Sequence, residues 1–341
     1  MPIVAFNISA ETQPFYRHVL RLLLGVAILL VLIKVFQVGK WNNIYDFAWP
    51  YMVGAGIVSL GANVVGTLRW KHALGAVGVK DGLNFTQLLK LYMSGTVLGF
   101  AFVGATGSLA YQGLALKKQW NVPYTKVAFS LTLDRVLDPL LSVVIFTVAL
   151  FYLFGQIDLE YFSATILFLI GVSIVFLVFG RNYLRTFFHF ALECVLGLSR
   201  LAERVKLFCG QSSSPRTETP VIEKNLDSYR FSPTYLATLT LGRMLLLLLR
   251  LQLVAYALGV VIQPEIILIG MSVFQLSWLL SVTPGGIGIA EWGWVGVLVR
   301  YGFSPSDAAL LSIAFRIYLF IFSLVVLLLC YALSLYKKVV I

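Results

Sequence analysis

The chain has 341 residues, of which 59% are hydrophobic and only 12% are charged. Ordinary soluble domains do not show this balance, so the composition predicts an all-α, polytopic membrane protein. Lysine and arginine outnumber aspartate and glutamate by 26 to 15. Because the basic residues cluster in loops on one side of the predicted membrane, they follow the positive-inside rule and exclude a nucleic-acid footprint. We expect residues 1–341 to form a single integral membrane domain.

Six predicted segments are apolar and long enough to cross a bilayer as full helices. They are Val19–Val38, Phe47–Leu68, Lys126–Gly155, Tyr161–Gly180, Thr234–Ile262 and Ser306–Leu335.

Two further apolar segments are interrupted by glycine-rich sequence. The first, Leu88–Leu116, breaks at Val103–Ser108, and the second, Ile266–Arg300, breaks at Ser281–Trp294, "SVTPGGIGIAEWGW". Each arm has roughly 12 to 16 residues, or about 18 to 24 Å of helix, which is short of the ~30 Å hydrocarbon core. We therefore expect two re-entrant helical hairpins, which brings the total to eight segments.

Residues 181–232 differ from the rest of the chain because they are polar and basic. Their first part is amphipathic and predicts a helix on the cytoplasmic membrane surface, and their second part, "GQSSSPRTETP", predicts a flexible linker. Alternatively, residues 183–199 form an extra span, which would invert everything that follows. With the interfacial assignment, the distribution of lysine and arginine places both termini in the cytoplasm of an inner-membrane protein.

The two interrupted segments resemble one another. Gly104–Gly113, "GATGSLAYQG", can be laid on Pro284–Gly293, "PGGIGIAEWG", and a short turn containing Pro123 or Pro305 then leads into a long helix. The predicted topology makes the first hairpin enter from the cytoplasm and the second from outside. Such an inverted repeat is the arrangement that transporters use for alternating access, although a channel or an intramembrane enzyme can share it.

Ionisable residues at membrane depth are candidate functional residues because burying them in a bilayer is costly. The third predicted span carries Asp134, Arg135 and Asp138, in which Arg135 can reach Asp138 at i,i+3 and Pro139 favours a kink. Arg316 lies about 15 Å into the last helix. Glu291 lies near the start of the second hairpin's second arm, where the helix dipole favours an acid.

Arg243 and Arg250 share one face of the helix that precedes the second hairpin. Together with Arg135 and Arg316 they give four arginines against three acids, a balance that suits a cavity for an anionic group such as a phosphate. The structural alternative is that Asp138–Arg135 and Glu291–Arg316 are ion pairs that hold helices together, while Arg243 and Arg250 snorkel to lipid phosphates.

Several motifs resemble the lysylphosphatidylglycerol synthase transmembrane-region family. "TPGGIGIAEWGWVGVL" followed by "GFSPSDAALLSIAFRIYLF" resembles its PGGxGxxE element and its last helix with a buried arginine, and "LDRVLDPL" resembles its E/D-R-x-x-D element. The resemblance implies a flippase-type domain that moves lipids or lipid-linked head groups between leaflets. Because Gln112 and Ala290 depart from the family pattern, we do not carry over a lysyl-lipid substrate.

The chain ends just past its last predicted helix and has no standard catalytic motif, so we do not expect an aminoacyl transferase, a metal site or a cofactor. The predicted partners are membrane lipids or lipid-linked intermediates, together with a glycosyltransferase or another lipid-modifying enzyme. An intramembrane transferase with Glu291 as base and a non-transporting scaffold remain alternatives. The predicted substrate-binding residues are Pro284, Gly285, Gly286, Gly288, Glu291, Arg316, Asp134, Arg135, Asp138, Gly104 and Gly107, with head-group contacts from Arg243 and Arg250.

Overall fold

A computed structural model describes two main parts of the chain, which lie on either side of residues 170–231. The described residues are 48–79, 84–101, 104–135, 137–156, 232–280, 283 and 286–340, together with 34, 158, 160–162, 164–165 and 168–169. All of the predicted span Val19–Val38 except Lys34, most of Tyr161–Gly180 and the polar segment 181–231 lie outside them, as do Pro284 and Gly285.

Within the described residues the chain forms nine α-helices and no strand. They are α1 (Trp49–Ala76), α2 (Phe85–Ala101), α3 (Gly104–Trp120), α4 (Tyr124–Arg135), α5 (Leu137–Leu153), α6 (Pro233–Ala257), α7 (Pro264–Leu280), α8 (Ile289–Arg300) and α9 (Pro305–Val340).

Four helical stretches in this part of the chain are long and apolar enough to cross a membrane. They are Trp49–Ala76, Lys126–Tyr152, Thr234–Ala257 and Pro305–Cys330. Each coincides with one of the predicted spans, so the expectation of an all-α membrane protein is confirmed.

Helices α1 and α6 pack along one another in opposite directions. The Ala48 N–H, just before α1, donates to the Ala257 carbonyl at the end of α6 over 3.1 Å. At the other end, His72 Nε2 lies 3.1 Å from the carbonyl oxygen of Ser232, which caps α6. This antiparallel pair connects the two halves of the described chain.

Small residues let these two helices approach closely. A Cβ at Gly54 would lie 3.6 Å from a methyl group of Leu253, and one at Gly61 would lie 3.7 Å from a methyl group of Leu246. The two contacts lie seven residues apart on each helix, which places them on one face. The α1–α6 interface therefore includes two glycines on α1 that receive leucines from α6.

Two pairs of shorter helices, α2 with α3 and α7 with α8, pack against each other. Their lengths are 17 residues, except for α8 with 12, so they extend for about 25 and 18 Å. The predicted break at Val103–Ser108 is wrong in its position, because α3 begins at Gly104 and only residues 102–103 separate it from α2. A helix tolerates an internal glycine at a cost of only about 1 kcal/mol, so glycine content alone does not fix where a helix breaks.

The third span is described on both sides of residue 136, which itself lies outside the described residues, and the apolar helical stretch runs from Lys126 to Tyr152. α4 ends at Arg135 and α5 begins at Leu137. Pro139 has no N–H with which to bond the Arg135 carbonyl one turn earlier, so the helical hydrogen-bond ladder is interrupted where the predicted charges lie.

Candidate functional site

A cavity of about 240 Å³ lies among the helices, and every one of the nine contributes to its wall. Its charged lining residues are Arg69, Asp134, Arg135, Asp138, Arg243, Arg250 and Glu291. The rest of the wall is largely apolar. Its apolar residues include Leu247, Leu251, Met271, Phe274, Trp294, Phe315, Leu319 and Phe322. The cavity therefore has both a charged surface and an apolar surface.

The charges lie near the middle of the candidate spans. Asp138 is twelve residues into Lys126–Tyr152, Arg243 is nine residues into Thr234–Ala257, and Arg316 is eleven residues into Pro305–Cys330. At 1.5 Å per residue these positions are roughly 14 to 18 Å from the helix starts, close to half the ~30 Å apolar thickness.

Arg69 of α1 is the most buried arginine of this cavity and binds two carboxylates. Its Nε donates to Asp134 Oδ1 at 2.8 Å, and its Nη1 and Nη2 donate to Asp138 at 2.6 and 2.9 Å. The side chains of Arg69 and Asp134 are each only 1% exposed. A planar guanidinium can satisfy two carboxylates at once, which the single ammonium of lysine does with much poorer geometry.

Asp138 is shared between two arginines. Arg243 Nη1 donates to its Oδ2 at 2.6 Å, the same oxygen that Arg69 Nη2 contacts. Arg243 and Asp138 each keep about a fifth of their side-chain surface exposed, whereas Arg69 does not. Arg243 is therefore the partner of Asp138 that a ligand in the cavity can reach.

Arg135 is held by the first hairpin. Its Nη2 donates to Ser108 Oγ at 2.8 Å and to Gln112 Oε1 at 3.1 Å, both on α3. These partners are neutral, so the contact orients the guanidinium without neutralising it. From the sequence, Arg135 was expected to pair with Asp138. In the structure Arg135 binds Ser108 and Gln112 instead, and Asp138 is bound by Arg69 and Arg243.

Glu291 connects the tip of the second hairpin to the last helix. Its Oε2 accepts the Gly288 N–H at 2.7 Å, which caps the start of α8, and its Oε1 accepts from Arg316 Nε. Arg316 Nη2 also donates to the Gly286 carbonyl at 3.3 Å. Gly286 and Gly288 have φ of +70° and +87°, a left-handed region that other residues enter only at a cost.

Arg250 has no carboxylate partner among the described residues. Its Nε is buried and has no hydrogen-bond acceptor in the described part of the chain, and the same is true of Arg243 Nε. Both atoms belong to side chains that line the cavity. Buried donors without partners are rare in folded proteins, so these two positions suit a ligand with acceptor oxygens.

The structure brings most of the predicted site residues together. Asp134, Arg135, Asp138, Arg243, Arg250 and Glu291 line the cavity, Arg316 pairs with Glu291, and Gly286 and Gly288 form the turn beside that pair. Gly104 and Gly107 lie in the first turns of α3 instead of in a loop. Pro284 and Gly285 lie outside the described residues.

Arg69 was not among the site residues predicted from the sequence. The predicted second span ends at Leu68, which places Arg69 beyond the membrane, but α1 continues to Ala76. No proline or glycine interrupts "LRWKHAL", and this continuity was the available signal. Ser108 and Gln112 were also missed as partners of Arg135, although two polar residues four positions apart share one helix face.

Comparisons with known proteins identify the family to which this arrangement belongs. The family model described as "Lysylphosphatidylglycerol synthase TM region" matches residues 19–326. The UPF0104 membrane protein MJ1595 of Methanocaldococcus jannaschii is 21% identical over 279 residues, which cover 78% of this chain and 80% of that protein. No solved structure matches the chain. Since the family model covers most of its length, the protein belongs to the lysylphosphatidylglycerol synthase transmembrane-region family.

Proposed function

We propose that the protein moves anionic lipids, or lipid-linked head groups, between the two leaflets of the inner membrane. The cavity carries this proposal, because arginines at mid-span depth lie beside an apolar wall. Charged groups at such depth are costly and are typical of transport pathways. An anionic lipid matches both surfaces, with its head group on the arginines and its acyl chains along the wall and in the surrounding bilayer.

The order of elements supports a transport mechanism built from two related units. A long helix, a helix pair and a second long helix occur first as α1, α2–α3 and α4–α5, and again as α6, α7–α8 and α9. In each unit an arginine of the last helix binds the second arm of the pair, Arg135 to Ser108 and Gln112, and Arg316 to Glu291. We take the two pairs as re-entrant hairpins that enter from opposite faces.

Under this proposal the first hairpin enters from the cytoplasm and the second from outside, with both termini cytoplasmic. Lys117 and Lys118 in the last turn of α3 favour the cytoplasmic side for that end. An inverted repeat then allows the shared cavity to open to each face in turn. The partners are membrane lipids or lipid-linked intermediates, which a glycosyltransferase or another lipid-modifying enzyme would supply or consume.

The shared carboxylate supplies a release step. An incoming head group that binds Arg243 competes with Asp138, and the two hydrogen bonds from Arg69 keep Asp138 in place when Arg243 turns away. When the lipid leaves, Asp138 takes Arg243 back. Arg243 therefore never lacks an anionic partner during the cycle, which avoids the cost of leaving this charge buried and unpaired.

Reconstituted liposomes test this function. Fluorescent phosphatidylglycerol is placed in both leaflets, dithionite bleaches the outer leaflet, and further loss of fluorescence reports transfer from the inner leaflet. We expect the wild type to transfer lipid faster than protein-free liposomes. Arg243→Gln should slow transfer by about tenfold or more, because a hydrogen bond to a charged group contributes about 1.5 to 3 kcal/mol.

Arg300→Gln is the matched control, since Arg300 is exposed at the end of α8 and does not line the cavity. Its rate should equal that of the wild type. A wild-type rate no higher than that of protein-free liposomes, both for fluorescent phosphatidylglycerol and for fluorescent phosphatidic acid in a parallel sample, would contradict the transport function. An Arg243→Gln rate equal to wild type would contradict the role of the cavity.

A further inference from the structure

The arginines of the cavity are not neutralised equally. Arg69 and Arg243 face Asp134 and Asp138, so two guanidiniums balance two carboxylates. These four groups form a closed network in which each carboxylate binds at least one arginine. They contribute no net charge to the cavity.

The second hairpin is balanced as well. Glu291, whose side chain is 2% exposed, is paired with Arg316. The Glu291 carboxylate therefore has no charge left for the other arginines of the cavity. This pair likewise contributes no net charge.

Arg135 and Arg250 remain. The hydrogen-bond partners of Arg135 are the neutral Ser108 and Gln112, and Arg250 has no carboxylate partner among the described residues. In the part of the chain that the structure describes, the cavity and its bound Arg316 hold five arginines and three carboxylates. The surplus is two positive charges.

We infer that the head group held in this cavity carries two negative charges, as a terminal phosphate or a diphosphate does, and not the single charge of a phosphodiester. The inference rests on the proposed function, in which this cavity takes a lipid. A phosphate monoester carries about −1.5 to −2 charges at pH 7, because its second pKa is near 6. That charge offsets the surplus on Arg135 and Arg250.

The same balance acts against a lysylated head group. Lysylphosphatidylglycerol carries one phosphodiester and two ammonium groups, so its net charge is positive. A cavity with surplus arginines repels it. This cavity therefore does not suit the lipid after which the family is named.

The acyl chains distinguish a lipid from free phosphate. Leu247, Phe274 and Phe322 line the cavity beside the arginines, and an inorganic anion makes no use of them. A lipid phosphate should therefore bind much more tightly than the soluble ion.

Binding to the purified, full-length protein in detergent micelles tests the inference. The probes are phosphatidic acid, phosphatidylglycerol and lysylphosphatidylglycerol with identical acyl chains, and native mass spectrometry gives both affinity and stoichiometry. We expect phosphatidic acid to bind at least about tenfold more tightly than phosphatidylglycerol, and lysylphosphatidylglycerol to bind most weakly. The preference for phosphatidic acid should shrink when the pH falls from 8 to 5, because only the monoester takes up a proton in that range.

Two variants localise the effect. Arg250→Gln and Arg135→Gln each remove one surplus charge and should reduce the preference for phosphatidic acid over phosphatidylglycerol, whereas Arg300→Gln should retain it. Either variant suffices if the other fails to fold. Equal affinity for the two lipids, two molecules of phosphatidylglycerol bound per protein, or competition by inorganic phosphate at lipid concentrations would overturn the inference.

These outcomes are separate from those of the transport assay. A protein that transfers phosphatidylglycerol as fast as phosphatidic acid, and binds both equally, overturns the inference and leaves the proposed function standing. A protein that selects phosphatidic acid but transfers no lipid overturns the proposed function and leaves the binding inference standing.

Discussion

Arg69 and Asp138 are joined by two hydrogen bonds, from Nη1 to Oδ1 at 2.6 Å and from Nη2 to Oδ2 at 2.9 Å. The third donor of the same guanidinium, Nε, binds Asp134. Asp134 belongs to the last turn of α4 and Asp138 to the first turn of α5. One side chain of α1 therefore binds two acids that lie one helical turn apart on the third span, close to the hydrogen bond that Pro139 cannot make.

Replacing Arg69 should destabilise the protein strongly. Arg69→Gln leaves Asp134 without a cationic partner in a buried site, and breaking such a pair costs about 3 to 5 kcal/mol. We expect the variant to have a lower midpoint of thermal unfolding than the wild type, as measured by tryptophan fluorescence in detergent. Lys71→Gln, which changes an exposed residue on the same helix, should leave the midpoint unchanged. The double variant Arg69→Gln with Asp134→Asn should recover part of the loss, and no recovery would contradict the pairing.

Replacing Glu291 separates its two roles. In Glu291→Gln the amide oxygen can still accept the Gly288 N–H, so the cap of α8 persists while Arg316 loses its counter-charge. Glu291→Ala loses both, with about 1 kcal/mol added for the cap. Thermal unfolding should therefore rank wild type above Glu291→Gln, and Glu291→Gln above Glu291→Ala.

Asp307→Asn is the comparison for Glu291, because Asp307 is also an acid in the first turn of a helix but is exposed and bound by Ser304. We expect it to cost less than about 1 kcal/mol. Equal losses for Asp307→Asn and Glu291→Gln would show that the Arg316 pair contributes nothing.

Gly95 of α2 should affect the orientation of Arg135 through the two side chains that hold it. A Cβ at Gly95 would lie 2.6 Å from Gln112 Nε2 and 2.9 Å from Ser108 Oγ, the two side chains that orient Arg135. Gly95→Ala should therefore displace them and slow lipid transfer in liposomes. Gly242→Ala is the control, since a Cβ there meets nothing within 4 Å, although it adjoins Arg243. A Gly95→Ala protein that transfers lipid at the wild-type rate would refute this positioning role.

Gly270 of α7 should be required for the packing of the second helix pair. A Cβ at this position would overlap the ring of Trp294 on α8. Gly270→Ala should cost about 1 to 3 kcal/mol of stability through overpacking, and Gly296→Ala should not, because a Cβ there meets open space. Adding Trp294→Leu to Gly270→Ala removes the overlap and should recover part of the loss.

Labelling with a membrane-impermeant maleimide tests the proposed orientation. In a background in which the native cysteines are replaced by serine, single cysteines at Asn84 and Asn121 flank the first helix pair, and those at Gln263 and Ser304 flank the second. We expect the first two to react only from the cytoplasmic side and the last two only from outside. Reaction of all four from one side would contradict the inverted arrangement.

Much of the fold could be predicted because hydrophobic length is a direct signal. Four predicted spans coincide with helices long and apolar enough to cross a membrane. The pairing of Glu291 with Arg316 was one of two outcomes that the sequence allowed, and the structure shows it. The position of the first break was not predictable from glycine content, because a helix can contain glycine at a modest cost, and Gly104 and Gly107 lie within α3.

The partners of the charges were less predictable than the charges themselves. Local spacing favoured Arg135 as the partner of Asp138, yet Asp138 is bound by Arg69 and Arg243, which are 69 and 105 residues away in sequence. Such long-range contacts depend on how α1, α5 and α6 pack, and no short sequence pattern encodes that packing.

The double use of Glu291 has a mechanical consequence. The Glu291 carboxylate caps α8 and also binds Arg316 of α9. If α9 slid past the hairpin tip, α8 would lose its cap and Arg316 would lose its carboxylate at the same time. The tip, α8 and α9 should consequently move as one rigid body. Flexing is then left to the third span near Pro139, where one helical hydrogen bond is missing and where Arg69 binds the two acids Asp134 and Asp138.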